Sequence, residues 1–171
     1  VIDPHQKDCN YPYKELCGAG VAYKLVRVLL EELEIDPAKA EYLIENVAIA
    51  TIGDVVNLTG ENRIFVRTGL EMLKKTKNEG LKALFECTGI DVENLNTYHI
   101  GFVIGPCINA CGRLDTAKRA LELLNAPGRR EAVMMAEDLK ALNESRKEMT
   151  EKGVERAVEM IETSVLKKDS V

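Results

Sequence analysis

Apolar residues recur at three- and four-residue spacing through most of the chain, a period that predicts helices rather than strands. The first clear stripe is Leu16, Ala19, Ala22, Tyr23, Val26, Leu29, Leu30 and Leu33, which predicts a helix over about 15–34. Gly18 and Gly20 lie in its first turns, where they cost helix propensity but allow another backbone to approach closely. Asp36-Pro37 reads as a second helix start with Pro at the first helical position. That helix carries Ala40, Leu43, Ile44, Val47 and Ala48 onward to Asp54 and should lie in the middle of the fold. Thr59 is the expected N-cap of a third helix, 60–75, with Ile64, Phe65, Leu70 and Leu73 on its apolar side. A shorter helix follows over 80–88, closed by Gly89 in the left-handed conformation. Thr97 is then the expected N-cap of a helix over 98–104. His99 in its first turn reads as a surface or capping residue, because no second metal-binding type stands four positions on.

The remaining segments are punctuated differently. Residues 3–14 hold two prolines and several turn formers without apolar periodicity, so they read as a loop. Pro106 should prevent a smooth helical continuation, with Gly105 and Gly112 bracketing a compact turn of backbone. Asp115-Thr116 opens a helix through Ala117, Ala120, Leu121 and Leu124, which Asn125-Ala126-Pro127-Gly128 closes. Over about 129–166 the chain reads as one very long helix with alternating charges and a thin apolar stripe that includes Val133, Ala136, Leu139, Met149, Val154 and Ile161. Such a stripe is too sparse for a core helix and fits a lever packed on one side or bridging two domains.

Composition narrows the function classes. The 171 residues carry a net charge of -5, which argues against a generally basic nucleic-acid coat, although local basic residues can still hold phosphates. Five cysteines with no Cys-x-x-Cys pair make neither a disulfide framework nor a standard zinc site, so reduced thiols are expected. No apolar run approaches twenty residues, so a soluble, cytoplasmic protein without a membrane partner is expected. Val1-Ile2 reads as the last step of a buried strand, and the long helix stops without a closing element. A piece of a larger protein is therefore expected.

Two stretches carry candidate chemistry. Residues 50–63 place Asp54 in an otherwise apolar run, and a lone carboxylate is costly to bury unless a cation or donors meet it. Asp54 either caps or hydrogen-bonds a turn, or it is a metal ligand. Its position at the negative end of a helix favours a nearby cation. In residues 105–114, Asn109 and Arg113 stand four apart and would share a helical face. An Arg fork beside an Asn amide suits a phosphate oxygen, and equally an internal salt bridge. Cys107 and Cys111 are also four apart and read as small core residues.

These stretches bear a family likeness. Asp3-Pro4-His5-Gln6 and Tyr11-Pro12-Tyr13-Lys14-Glu15-Leu16-Cys17-Gly18-Ala19-Gly20 resemble the segment that follows the Asp-His-His motif in the RecJ family of single-strand-specific DNA exonucleases, within the DHH phosphoesterase superfamily. Residues 50–63 resemble that family's fourth motif, and residues 101–114, with Ile108-Asn109-Ala110-Cys111-Gly112-Arg113, resemble its Ile-Asn-Ala-x-Gly-Arg segment. The resemblance implies an all-α fragment, the helical part of an α/β DHH catalytic domain over 1–126, followed over 127–171 by a long helix connecting to a second, DHHA1 domain. It implies a two-metal site of Mn²⁺ or Mg²⁺ that activates water and stabilises the leaving oxygen of a phosphodiester. Mononucleotides would leave from a 5′ end. Asp54 would be the catalytic metal ligand, Arg113 would hold the DNA end or its phosphate, and Asn109 would support it. Implied partners are single-stranded DNA, a single-strand-binding protein and a helicase, in DNA repair and recombination.

The departures from the family pattern are equally specific. The first three motifs are absent, since His5 and His99 are isolated and form no Asp-His-His, and the second domain's Gly-Gly-Gly-His segment is absent too. Cys107 stands where many relatives carry Arg. One carboxylate cannot hold two metals, so this segment alone is expected to be inactive. Two other readings remain: a catalytically silent helical binding module, and a DHH phosphodiesterase acting on short oligoribonucleotides or cyclic dinucleotides.

Overall fold

In the computed structural model, which describes residues 2–114 and 117–163 without the side chains of 113 and 114, every regular element is helical. Helix α1 (Gly18–Glu32) starts three residues later than the apolar stripe suggested. Its would-be first turn is held extended, with the Glu15 carbonyl accepting from Asn62 Nδ2 at 2.7 Å instead of from a helical N–H. Tyr23 is buried, whereas Leu29 and Leu33 on the outer part of the expected stripe are exposed.

Asp36 caps the next element as expected, its carboxylate accepting from Ala38 N–H at 3.0 Å. The chain first winds as a tight 3₁₀ helix (Pro37–Leu43) and only then opens into α2 (Ile44–Gly53). Val47, Ala48 and Thr51 are almost fully enclosed, so α2 is a central helix. Against it lies α3 (Gly60–Leu73), at a separation only glycine permits. A Cβ on Gly69 would stand 2.3 Å from Ala48 Cβ and 2.8 Å from the Ile44 carbonyl oxygen. Ile64, expected on the buried side of α3, is exposed, and Val66 takes the inward position.

Helix α4 (Glu79–Cys87) ends as expected at Gly89, with φ of 71° and Ile90 N–H returning to the Phe85 carbonyl at 2.9 Å. Its start is built by Asn78, which accepts from Leu81 N–H and donates to the Leu124 carbonyl. Gly80 brings this start against the end of helix α7 (Lys118–Leu124), where a Cβ would fall 2.0 Å from the Leu123 oxygen.

The segment around Pro106 is not a broken turn. Helix α5 (Thr97–His99) passes through a π-helical stretch (Ile100–Ile104) directly into α6 (Gly105–Leu114). The wider i→i+5 winding gives the proline, which has no N–H to place, a continuous helix to occupy. The N-cap is Asn96 rather than Thr97: its side chain accepts from Tyr98 and His99 N–H while its own N–H donates to His99 Nδ1 at 3.2 Å. Asp115 and Thr116, expected to start the following helix, lie outside the described residues; α7 is assigned over Lys118–Leu124.

Helix α8 (Arg129–Thr163) has two regimes. Ala132, Ala136, Leu139 and Asn143 are buried in the core with Leu84, Phe85, Ile104 and Leu123, so this half is a core helix despite its sparse stripe. From residue 147 onward every described position is exposed. A second, smaller cluster of Leu16, Tyr23, Ala40, Val47 and Phe65 joins α1 to α2 and α3. No helix among the described residues is long and apolar enough to cross a membrane.

Candidate metal and nucleic-acid site

Helix α2 delivers Asp54 as its C-cap residue, with φ of -81° and its N–H bonded to the Ala50 carbonyl at 2.8 Å. The carboxylate is exposed rather than buried in the apolar run. The reason lies one residue on: Val55 has φ of 56°, so the chain reverses there and leaves both Asp54 and Val55 outside. Val55 is 88% exposed, and a β-branched residue in the left-handed region costs on the order of 1–2 kcal/mol. Surrounding contacts must therefore enforce this conformation. No described side chain donates to the Asp54 carboxylate, which sits at the negative end of the α2 dipole with its oxygens available.

The loop that follows Val55 is anchored by the extended segment before α1. Tyr11 donates to Glu61 Oε1 at 2.6 Å, Tyr13 donates to the Thr59 carbonyl at 2.7 Å, and Glu15 receives Asn62. These three residues alternate along an extended strand-like run, so their side chains and carbonyls all meet the stretch that follows Asp54. Gly60, with φ of 46°, seats the Tyr13 ring; a Cβ there would lie 2.7 Å from ring atom Cε2. Asn62 is fully buried, and its Nδ2 also donates to the Asn57 carbonyl at 3.0 Å, pinning the loop after Asp54 to the N-terminus of α1. Its Oδ1 is buried with no partner among the described residues. Sequence reasoning missed Tyr11, Tyr13 and Asn62 as positioning residues; the period-two spacing of 11, 13 and 15 was the available signal.

Lys24 completes this joint with a 2.5 Å contact to Glu61 and lies 5.1 Å from the Tyr11 ring centroid. Burial alone would raise the Glu61 carboxyl, but hydrogen bonds from Lys24 and Tyr11 and the Lys24 charge outweigh it and hold it below the ordinary carboxylate range. Burial likewise opposes the charged Lys24 ammonium, and its bonds to Glu61 and Tyr11 prevail to raise it.

The second stretch lies beside the first. A Cβ on Gly101, in the π-helical turn, would stand 3.4 Å from Ile52 Cγ2, so the last turn of α2 rests on this segment. Asn109 is exposed on α6, and position 113 follows one turn later on the same helix; the Arg113 side chain lies outside the described residues. Cys107 and Cys111 point the other way and are buried as small core residues. Burial pushes the Cys107 thiol up, which keeps it protonated and inert. His5 pairs with Asp3 at the surface, and His99 is engaged in the capping box.

Chemically, Asp54 offers a hard carboxylate oxygen of the kind Mg²⁺ and Mn²⁺ prefer. Among the described residues no group of three or more His, Cys, Asp or Glu side chains is placed to hold a metal ion. The residues present thus fit one ligand of a site, not a whole one. A cleft of about 1140 Å³, lined by Tyr42, Glu45, Arg67, Glu71 and Leu121, includes none of these candidates.

Comparison with known proteins places these features in context. No family model matches the chain. It is 38% identical over 171 residues to the single-stranded-DNA-specific exonuclease RecJ of Bacillus subtilis, covering 100% of the chain and 21% of that protein. The RecJ exonuclease of Salmonella typhimurium is 37% identical over 159 residues, covering 87% of the chain and 28% of that protein. The crystal structure of RecJ from Thermus thermophilus in complex with Mg²⁺ superposes with a TM-score of 0.77 at 33% identity, over 86% of this chain and 23% of that one. The chain thus spans between about a fifth and somewhat over a quarter of the length of these relatives.

Proposed function

We propose, from the chain's homology to the RecJ single-stranded-DNA-specific exonucleases, that it supplies one metal ligand and part of the DNA-binding surface of such an enzyme. The activity is hydrolysis of phosphodiester bonds in single-stranded DNA, from the 5′ end, with Mn²⁺ or Mg²⁺. Asp54 carries this reading: an exposed carboxylate without a donor among the described residues, at a helix C-terminus, next to a strained Val55 and followed by a loop that the Tyr11, Tyr13 and Asn62 contacts anchor. Strain concentrated beside an available ligand is characteristic of functional sites. Bound divalent metal would supply an activated water and neutralise charge on the leaving oxygen. The chain's own part is to fix the Asp54 carboxylate through the 55–62 loop and to present Asn109 and Arg113 on α6 for a phosphate. The length of α8 beyond residue 147, exposed on all sides, suits a connection to another domain. On this reading the protein acts in the cytoplasm on strands exposed in repair and recombination, alongside a single-strand-binding protein and a helicase. One carboxylate does not complete a two-metal site, so the chain by itself releases no mononucleotides.

A chimera tests this. The chain replaces the matching segment of the Bacillus subtilis relative, and Mn²⁺-dependent release of mononucleotides from a 5′-phosphorylated single strand is measured. The chimera is expected to be active, and Asp54→Ala to lower turnover by more than about 100-fold, beyond what loss of a supporting residue around a metal costs. An active chimera indifferent to Asp54→Ala overturns the assignment.

A further inference from the structure

The exposed face of the helix that carries Asn109 also carries two aromatic rings. The chain has only three phenylalanines; Phe65 and Phe85 are buried, whereas Phe102 is 70% exposed. Beside it, Tyr98 is 62% exposed, and the two rings stack with centroids 5.1 Å apart and planes 26° from parallel. Their orientation is dictated by the opposite side of the helix, where Ile100, Ile104, Cys107 and Cys111 are locked in the core. A stacked pair in water leaves outer ring faces open, which suits a further planar group. Phe102 precedes Asn109 by seven residues, about 10 Å along a helix, a separation within reach of neighbouring nucleotides of one strand.

We infer that Tyr98 and Phe102 form a stacking platform for a base of single-stranded DNA, on the same continuous helical run that exposes Asn109. This rests on the exonuclease reading above and adds a base-contacting element to it. Base stacking on aromatic side chains is tolerant of sequence, because every base has a flat face, and it requires an unpaired strand. The platform would therefore contribute to selection of single strands without reading their sequence.

The test compares two probes: a fluorescein-labelled oligothymidylate, and an abasic sugar–phosphate strand of the same length and charge. Binding to the chain is followed by anisotropy at low salt, for the wild type and for the Tyr98→Ala/Phe102→Ala variant, whose changes fall at exposed positions. The wild type is expected to prefer the base-bearing strand by about tenfold or more. The double variant should lose that preference while binding the abasic strand as the wild type does. A preference retained by the variant, or an equal loss on both strands, overturns the platform alone. A wild type that binds neither strand overturns both the platform and the nucleic-acid reading beneath it.

Discussion

Replacing Gly69 with Ala probes the joint that positions Asp54. The added Cβ would lie 2.3 Å from Ala48 Cβ and 2.8 Å from the Ile44 carbonyl oxygen. Carbon atoms in contact sit about 3.5–4.0 Å apart, so α3 must withdraw from α2 by about 1 Å or more. Neither neighbour is the far end of a flexible side chain; one is a helix backbone atom and the other a methyl fixed directly to it. Overpacking of this kind costs about 1–3 kcal/mol, here at the upper end because two helices must shift as bodies. Ala gains back about 1 kcal/mol in helix propensity over Gly. The net loss is about 2 kcal/mol, which for a chain of this size lowers Tm by about 4–8 °C. Thermal unfolding followed by far-UV circular dichroism reads this directly. A Gly69→Ala protein as stable as the wild type, or more stable, would refute the claimed closeness of α2 and α3.

Much of the fold was legible in the residue pattern, and the failures have physical causes. Asp36-Pro37, Gly89 and Asn125-Ala126-Pro127-Gly128 mark element ends because each residue type imposes its own backbone geometry there. The π-helical stretch was invisible, since side-chain spacing around Pro106 does not distinguish an i→i+5 turn from a break. The enclosed half of α8 was hidden by its small residues: Ala132 and Ala136 bury completely where close packing against α4 and α6 leaves no room for larger ones. Gly69 and Gly80 are single glycines within helical patterns, and their role depends on partners distant in sequence. Of the candidate site, the sequence shows the residue types but not their environment. Asp54 stands out in the sequence because it breaks an apolar run, yet its exposure follows from the positive φ at Val55, a residue whose sequence preference gives no hint of it. The Tyr98 and Phe102 pair is not legible in the sequence, because both fit a helical pattern without showing which face they occupy.

Other substitutions test separate parts of the structure. Gly153 lies in the exposed half of α8 with nothing within 4 Å of a built Cβ, so Gly153→Ala is expected to stabilise that helix by about 1 kcal/mol; a gain in helicity on mild heating checks it, and a loss would mean the segment is packed against something. Glu45 is half-buried and accepts a 2.6 Å hydrogen bond from Thr76; burial raises its carboxyl above the ordinary 4.5, and the Thr76 bond opposes that only in part. A raised carboxyl contributes its full stability below the unfolded value and loses it as pH climbs through the folded value. Glu45→Gln is therefore expected to raise Tm at pH 7 and to leave it unchanged in acid below the ordinary carboxylate range. A lower Tm at pH 7 would show that the ionised Glu45 bond to Thr76 outweighs its burial.

That Asp54 is a metal ligand is tested most directly by counting metal. Bound manganese per molecule is measured in the chimera with the Bacillus subtilis relative, for Asp54 and for Asp54→Ala, after dialysis against limiting Mn²⁺. Loss of bound Mn²⁺ with an unchanged far-UV spectrum is the expected result. Equal manganese content in the two proteins would contradict it.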